Sequence, residues 1–296
     1  MSGRDTLLML MVTVLWAYNF FASKIGVDHF PPIFFSALRF ALLLALMLSF
    51  IRPVPRAQRM ALAGVALFMG VLHFALMFTG LQLASSVSAV AIATQTQVPF
   101  AALLAMLFLK ERVGWRRWLG IAIAFAGVTL IGFDPQVIDN KLALVFVLGG
   151  ALTFAINQVI ASTIRDIDIF NMQAWIGLAA TPGLLALSLV FEQGQIEAMH
   201  SAGWQPWAGL VYSTIAASII GHGIMYSMVR RYPVSLIAPY LLLPPVLAVF
   251  IGVLQWGDPF TWKLAVGGAM TLSGVGIITL RAARLGRLKV KPDPQS

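Results

Sequence analysis

Residues 6–25 read TLLMLMVTVLWAYNFFASKI. At about 20 residues the run is as long as one helical crossing of a bilayer. Its only charge, Lys24, stands at the far end. No small-residue cleavage pattern of the Ala-x-Ala kind follows Phe20-Phe21-Ala22-Ser23, so the run reads as a spanning helix and not as a cleaved signal.

The rest of the chain repeats this character. Of its 296 residues, 59% are hydrophobic and 10% charged. A soluble domain carries about a quarter charged residues to cover its wet surface, so this chain lacks the charge to stand in water. The net charge of +9 does not point to nucleic acid, because the basic residues fall between apolar runs. With no cysteine, disulfides and thiolate metal sites are excluded. The chain also lacks a phosphate-binding loop, paired catalytic carboxylates, a zinc pattern and a filter loop. Hence no metal, no cofactor and no enzymatic role are expected.

Working outward from the first run, spans are expected near 6–25, 32–51, 60–81, 86–109 and 115–132, then near 142–163, 171–191, 206–228, 234–256 and 262–281. Basic residues orient them. With both termini in the cytoplasm, sixteen of the twenty Lys and Arg residues fall inside. Only Lys24, Lys141 and Lys263 fall outside, and Arg39 lies within helix 2.

The second half resembles the first. A shift of 147 brings Ser88 onto Ser235, Glu111 onto Asp258, Trp115 onto Trp262, Gly120 onto Gly267 and Gly127 onto Gly274. A shift of 138 brings Ala17 onto Ala155 and Asn19 onto Asn157. Five spans per half force the second to enter the membrane upside down, an arrangement that supplies two near-equivalent packings. The expected fold is therefore all-α and integral to the membrane, with ten helices as two inverted five-helix repeats around a central cavity. The repeats cover 1–133 and 142–281, and 282–296 form a disordered tail.

Polar groups at membrane depth are costly and usually face a bundle interior. The candidates to line the cavity are Trp16, Tyr18 and Asn19 in helix 1, His73 in helix 3, and Gln95 and Gln97 in helix 4. The second half adds Asn157 and Gln158, Trp175, His222 and Tyr226, and Tyr240. Amides would hold the ammonium and carboxylate of a zwitterion, and aromatics its side chain. The same residues would equally serve as hydrogen-bond glue between helices. Prolines 99, 239, 244 and 245 are expected hinges inside helices 4 and 9. Arg39 is expected to be structural, since Gly177 stands at its counterpart position. The other reading is that Arg39 and Lys24 snorkel outward to the interface and attract a substrate carboxylate from the outer side. Helices 5 and 10, nearly all apolar, belong at the periphery. No Asp or Glu falls mid-membrane, so obligatory ion coupling is not expected.

Leu15-Trp16-Ala17-Tyr18-Asn19-Phe20, Pro31-Pro32 leading to Leu38-Arg39-Phe40, Pro99 before Lys110-Glu111-Arg112, and Ile220-Gly221-His222-Gly223 through Pro244-Pro245 resemble the EamA-like family of the drug/metabolite transporter superfamily. Nearly the whole chain takes part. Gly257-Asp258 departs from the usual Gly-Glu pair, and Val98 stands where some aromatic exporters carry tryptophan. The resemblance implies a multi-pass carrier of the bacterial inner membrane that exports amino acids or related metabolites by alternating access. A multidrug exporter and a passive solute channel are the rival readings. The implied partners are a small-molecule substrate and the lipid bilayer, with monomer and homodimer both open.

Overall fold

The computed structural model describes residues 2–108, 114–134, 140–164, 167–232 and 240–289. Among the described residues regular structure is entirely helical. The longer helices are α1 (Gly3–Val27), α2 (Pro32–Phe50), α3 (Arg56–Leu83), α4 (Val87–Phe108), α5 (Trp115–Gly132), α6 (Lys141–Ala161), α7 (Ile169–Phe191), α8 (204–231), α9 (Leu243–Trp256) and α10 (Trp262–Lys289). A short helix, Gln195–Ser201, links α7 to α8. Seven of these, α1 to α4 and α6 to α8, are long and apolar enough to cross a membrane, and the apolar parts of α5, α9 and α10 are shorter. Leu7, Leu189, Phe250 and other large apolar side chains are exposed, a surface suited to lipid.

α10 runs on to Lys289, so the expected tail is helical over 282–289. Residues 290–296 lie outside the described part.

Several helix starts are capped by side chains, which satisfy amides that have no partner within the helix. Ser2 Oγ accepts from Asp5 N at 3.2 Å, and Asp168 from Phe170 N and Asn171 N. Two caps come from the other half of the chain. The Glu192 carboxylate accepts from Ile33 N and Phe34 N at the start of α2. Asp258, buried after α9, accepts from Ser88 N at 2.7 Å at the start of α4.

The helices pair in a regular way. α5 packs on α10 and α2 on α7. α1 packs on α8 and α9, as α6 packs on α3 and α4. The α5–α10 pair runs antiparallel, because Gly120 meets Gly274 while Gly127 meets Gly267. These glycines permit close approach. A Cβ on Gly120 would lie 2.8 Å from the Gly274 carbonyl oxygen, and one on Gly267 would lie 2.6 Å from that of Gly127. α2 and α7 are antiparallel too, with Glu192 at the Ile33 end, Leu44 against Gly177, and Asn171 Oδ1 accepting from Arg52 N.

Two helices loosen at matching places. α3 is π-helical over Ala66–His73 and α8 over Ser213–Gly221. Such segments are rare and favour functional sites. α4 tightens to a 3-10 turn at Thr94–Thr96. Pro99 explains it: the ring cannot donate to the Gln95 carbonyl four residues back and crowds it. Pro244 and Pro245 sit in the first turn of α9, not inside a helix as expected. Their missing amides are harmless there. Pro239 and the Tyr226 side chain lie outside the described residues.

Candidate substrate site

One connected polar and aromatic cluster occupies the middle of the helices. Trp16 in α1 packs its ring 5.2 Å from that of His222 in α8, and its Nε1 donates to Ala217 O at 3.0 Å. His222 Nδ1 bonds Ser218 O at 3.1 Å. Ser218 Oγ in turn receives Arg39 Nη2 from α2 at 2.5 Å and donates to Ser213 O. The Arg39 guanidinium lies 4.1 Å from the centre of the Phe74 ring in α3 and 5.3 Å from that of Phe40. His73, next along α3, stacks against Phe154 of α6 at 5.1 Å and bonds Gly150 O through Nδ1 at 2.8 Å.

The two histidines have the same polarity. A carbonyl oxygen can only accept, so Nδ1 carries the hydrogen in both rings. Nε2 is left as the acceptor of the neutral ring.

Around this cluster lie buried oxygens with no protein partner: Asn19 Oδ1, Ser23 Oγ, Asn157 Oδ1 and Ser213 Oγ. Asn19 is one turn from Trp16, and Asn157 one turn from Phe154, each on the same face as its aromatic. Buried polar atoms are normally satisfied by protein or water, so such a group marks a place for a polar guest.

Of the residues singled out in the sequence, the structure joins Trp16 and His222 directly and links His73 to them through Phe74, Arg39 and Ser218, with Asn19 one turn from Trp16 and Asn157 one turn from Phe154. Tyr18 is exposed and packs on Tyr212. Gln158 is exposed too. Consecutive helical residues point about 100° apart, so with Ala17 and Asn157 facing in, Tyr18 and Gln158 face out. Gln95 is buried and Gln97 half-buried, on a segment packed against α5, α6 and α10, while Thr94 and Thr96 bond their own helix at Ala91 O and Ala93 O. Trp175 Nε1 donates to Arg52 O at the end of α2. Tyr240 packs with Met9 and Met228 at the N-terminal end of α1.

Arg39 lies inward: 5% exposed, it holds α8 from α2 and lies against α3, and it does not reach outward to the interface. The signal was present, since Arg39 is the one charge well inside a predicted span.

The described cavities lie elsewhere. One of about 940 Å³ opens between α2, α3, α6, α7 and the short helix, with Leu72, Leu76, Phe146 and Phe191 among its walls. We weigh it below the cluster, because none of its lining residues, Glu192, Glu197 and His29 included, carries an unpartnered buried polar atom among the described residues. A second, of about 330 Å³, lies at the N-terminal end, beside Asp5 and Arg231.

An all-helical protein with lipid-facing apolar helices and a buried polar centre belongs to the class of multi-pass membrane proteins. The chain matches the EamA-like transporter family over residues 5–133 and 141–280, and belongs to that family. It is a membrane transporter. A Salmonella typhimurium protein named a probable amino-acid metabolite efflux pump is 25% identical over 97% of this chain and 99% of its own. Its Escherichia coli namesake is 26% identical over 94% and 95%, and the uncharacterized transporter YoaV of Bacillus subtilis 26% over 93% and 97%. A solved crystal structure shares the fold with a TM-score of 0.61 at 19% identity, covering 96% of this chain and 99% of that one.

Proposed function

We propose that this transporter exports neutral amino acids or related small metabolites from the cytoplasm by alternating access across a bacterial inner membrane. The ten helices α1–α10 would cross as two inverted five-helix halves. The observation that carries the reading is the doubled site. Trp16, His222 and Asn19 recur as Phe154, His73 and Asn157, on helices that pair α1 with α8 as they pair α6 with α3. Antiparallel pairing of α5 with α10 and of α2 with α7 supports the inversion. Two near-equivalent halves have two packings of similar energy, one open to each side.

The charge bias of the loops supports cytoplasmic termini. The names of the two enterobacterial relatives supply the amino-acid class. The 3-10 turn before Pro99, with Pro244 and Pro245 at the start of α9, would be the places that bend.

Counterflow in proteoliposomes tests this. Vesicles loaded with an unlabelled neutral amino acid should take up the labelled one saturably, with no imposed proton or sodium gradient. Flux that rises without saturation would mean a channel. Counterflow displaced by cationic dyes and not by amino acids would mean a drug exporter.

A further inference from the structure

Arg39 is a buried cation in the middle of the helices, and its immediate surroundings do not neutralise it. Of its five N–H donors, one on Nη2 goes to Ser218 Oγ, while Nε and Nη1 have no partner. Among the described residues no carboxylate pairs with it, and the carboxylates nearest the helix ends are engaged elsewhere. Asp5 receives Tyr232 OH, Asp28 pairs with Lys24, Asp168 caps α7, Glu192 caps α2 and Asp258 caps α4. The faces of Phe74 and Phe40 offset part of the cost of burying the charge. They cannot accept the remaining hydrogen bonds.

A lone guanidinium with free donors fits a planar anion, and a carboxylate above all. Around the cluster, the unpartnered buried oxygens are acceptors: Asn19 Oδ1, Asn157 Oδ1 and Ser213 Oγ. These suit an ammonium or hydroxyl donor. The chemistry is thus divided, with one cationic anchor and several neutral acceptors.

We propose that Arg39 anchors the carboxylate of the transported solute. The carrier therefore selects carboxylate-bearing metabolites and rejects organic cations, which would meet an uncompensated positive charge. This rests on the proposed export of small metabolites and adds which group is recognised.

The test is competition against counterflow of one labelled neutral amino acid. The competitors are the free acid, its primary amide, the decarboxylated amine, and the 2-oxo acid that lacks the ammonium. In the wild-type protein the free acid should compete well, and the amide and amine about tenfold to a hundredfold worse, the worth of a charge-assisted hydrogen bond. Arg39→Gln should bring the free acid down to the level of the amide while leaving the amide unchanged. Arg39→Lys, which keeps the charge, should retain part of the preference. If the glutamine variant does not fold, judged by size-exclusion chromatography, the wild-type panel decides alone.

Equal competition by acid and amide in the wild type would overturn the proposal and leave amino-acid transport standing. So would an Arg39→Gln variant that weakens all competitors alike. If no amino acid exchanges but the 2-oxo acid does, in its own counterflow and dependent on Arg39, the amino-acid reading falls and the anchor survives.

Discussion

The two sides of the site are built alike and fastened differently. On one side Trp16 of α1 meets His222 of α8, and on the other Phe154 of α6 meets His73 of α3. In the first pair the aromatic supplies the bond between helices, from Trp16 Nε1 to Ala217 O, and the histidine bonds only its own helix. In the second pair the phenylalanine has no donor, and the histidine makes the bond across, to Gly150 O. The charge is one-sided too: Arg39 in α2 has Gly177 as its counterpart in α7. In the proposed cycle, symmetry of the scaffold would give two packings of similar energy, and asymmetry of the fasteners and of the charge would set which packing is preferred and what binds.

The largest effect belongs to the symmetric part. The contacts of Gly127 with Gly267 and of Gly120 with Gly274 are reciprocal, so Gly127→Leu and Gly274→Leu should be equally damaging. A side chain forced against a carbonyl that a bare Cβ already approaches to about 2.5 Å overpacks the seam, a cost of about 3 kcal/mol or more. Both variants should lose the monodisperse peak in size-exclusion chromatography. If one is tolerated and the other is not, the α5–α10 seam is less symmetric than its backbone.

Smaller effects should separate the two sides. His73→Phe removes a bond between helices at a cost of about 1 kcal/mol, whereas His222→Phe removes one within α8 and should cost less. Thermal midpoints in detergent check the order, and the reverse order would undo the assignment of fasteners. Trp16→Phe gives the first side the aromatic of the second. It should cost about 1 kcal/mol for the lost bond to Ala217 O, read as a lower midpoint, with the ring contact to His222 retained.

Much of this was legible in the sequence, for a physical reason. Apolar length, loop charge and the glycine and Glu/Asp coincidences each report on the whole chain at once, so its all-helical membrane character could be read and two matched halves could be proposed. Trp16, His73, His222, Asn19 and Asn157 stood out in the sequence because polar groups at membrane depth are scarce. Facing is a local matter, decided by rotation about the helix axis. In a helix that is apolar all round, the 3.6-residue period is too weak to show it. Hence the outward facing of Tyr18 and Gln158, each next to an inward residue, could not be read from the sequence. Arg39 stood out as the one charge well inside a span, but its partner Ser218 did not, because it lies 179 residues away and no pattern in the chain links the two.

Trp175 gives the mildest test and the most direct one of where the site ends. Its ring fits the usual picture of an aromatic substrate contact, yet its Nε1 donates to Arg52 O, which is exposed at the end of the α2–α7 pair. Arg52 stands thirteen positions beyond Arg39, about 20 Å along a helix at 1.5 Å per residue. A bond so exposed is worth about 0.5 kcal/mol, so Trp175→Phe should leave the midpoint nearly unchanged. The half-saturating solute concentration in counterflow should also stay within about twofold, since no contact to the guest is lost. A tenfold rise would mean that the bound solute reaches the α7 end, and that the asymmetry between the halves extends beyond the cluster around Arg39.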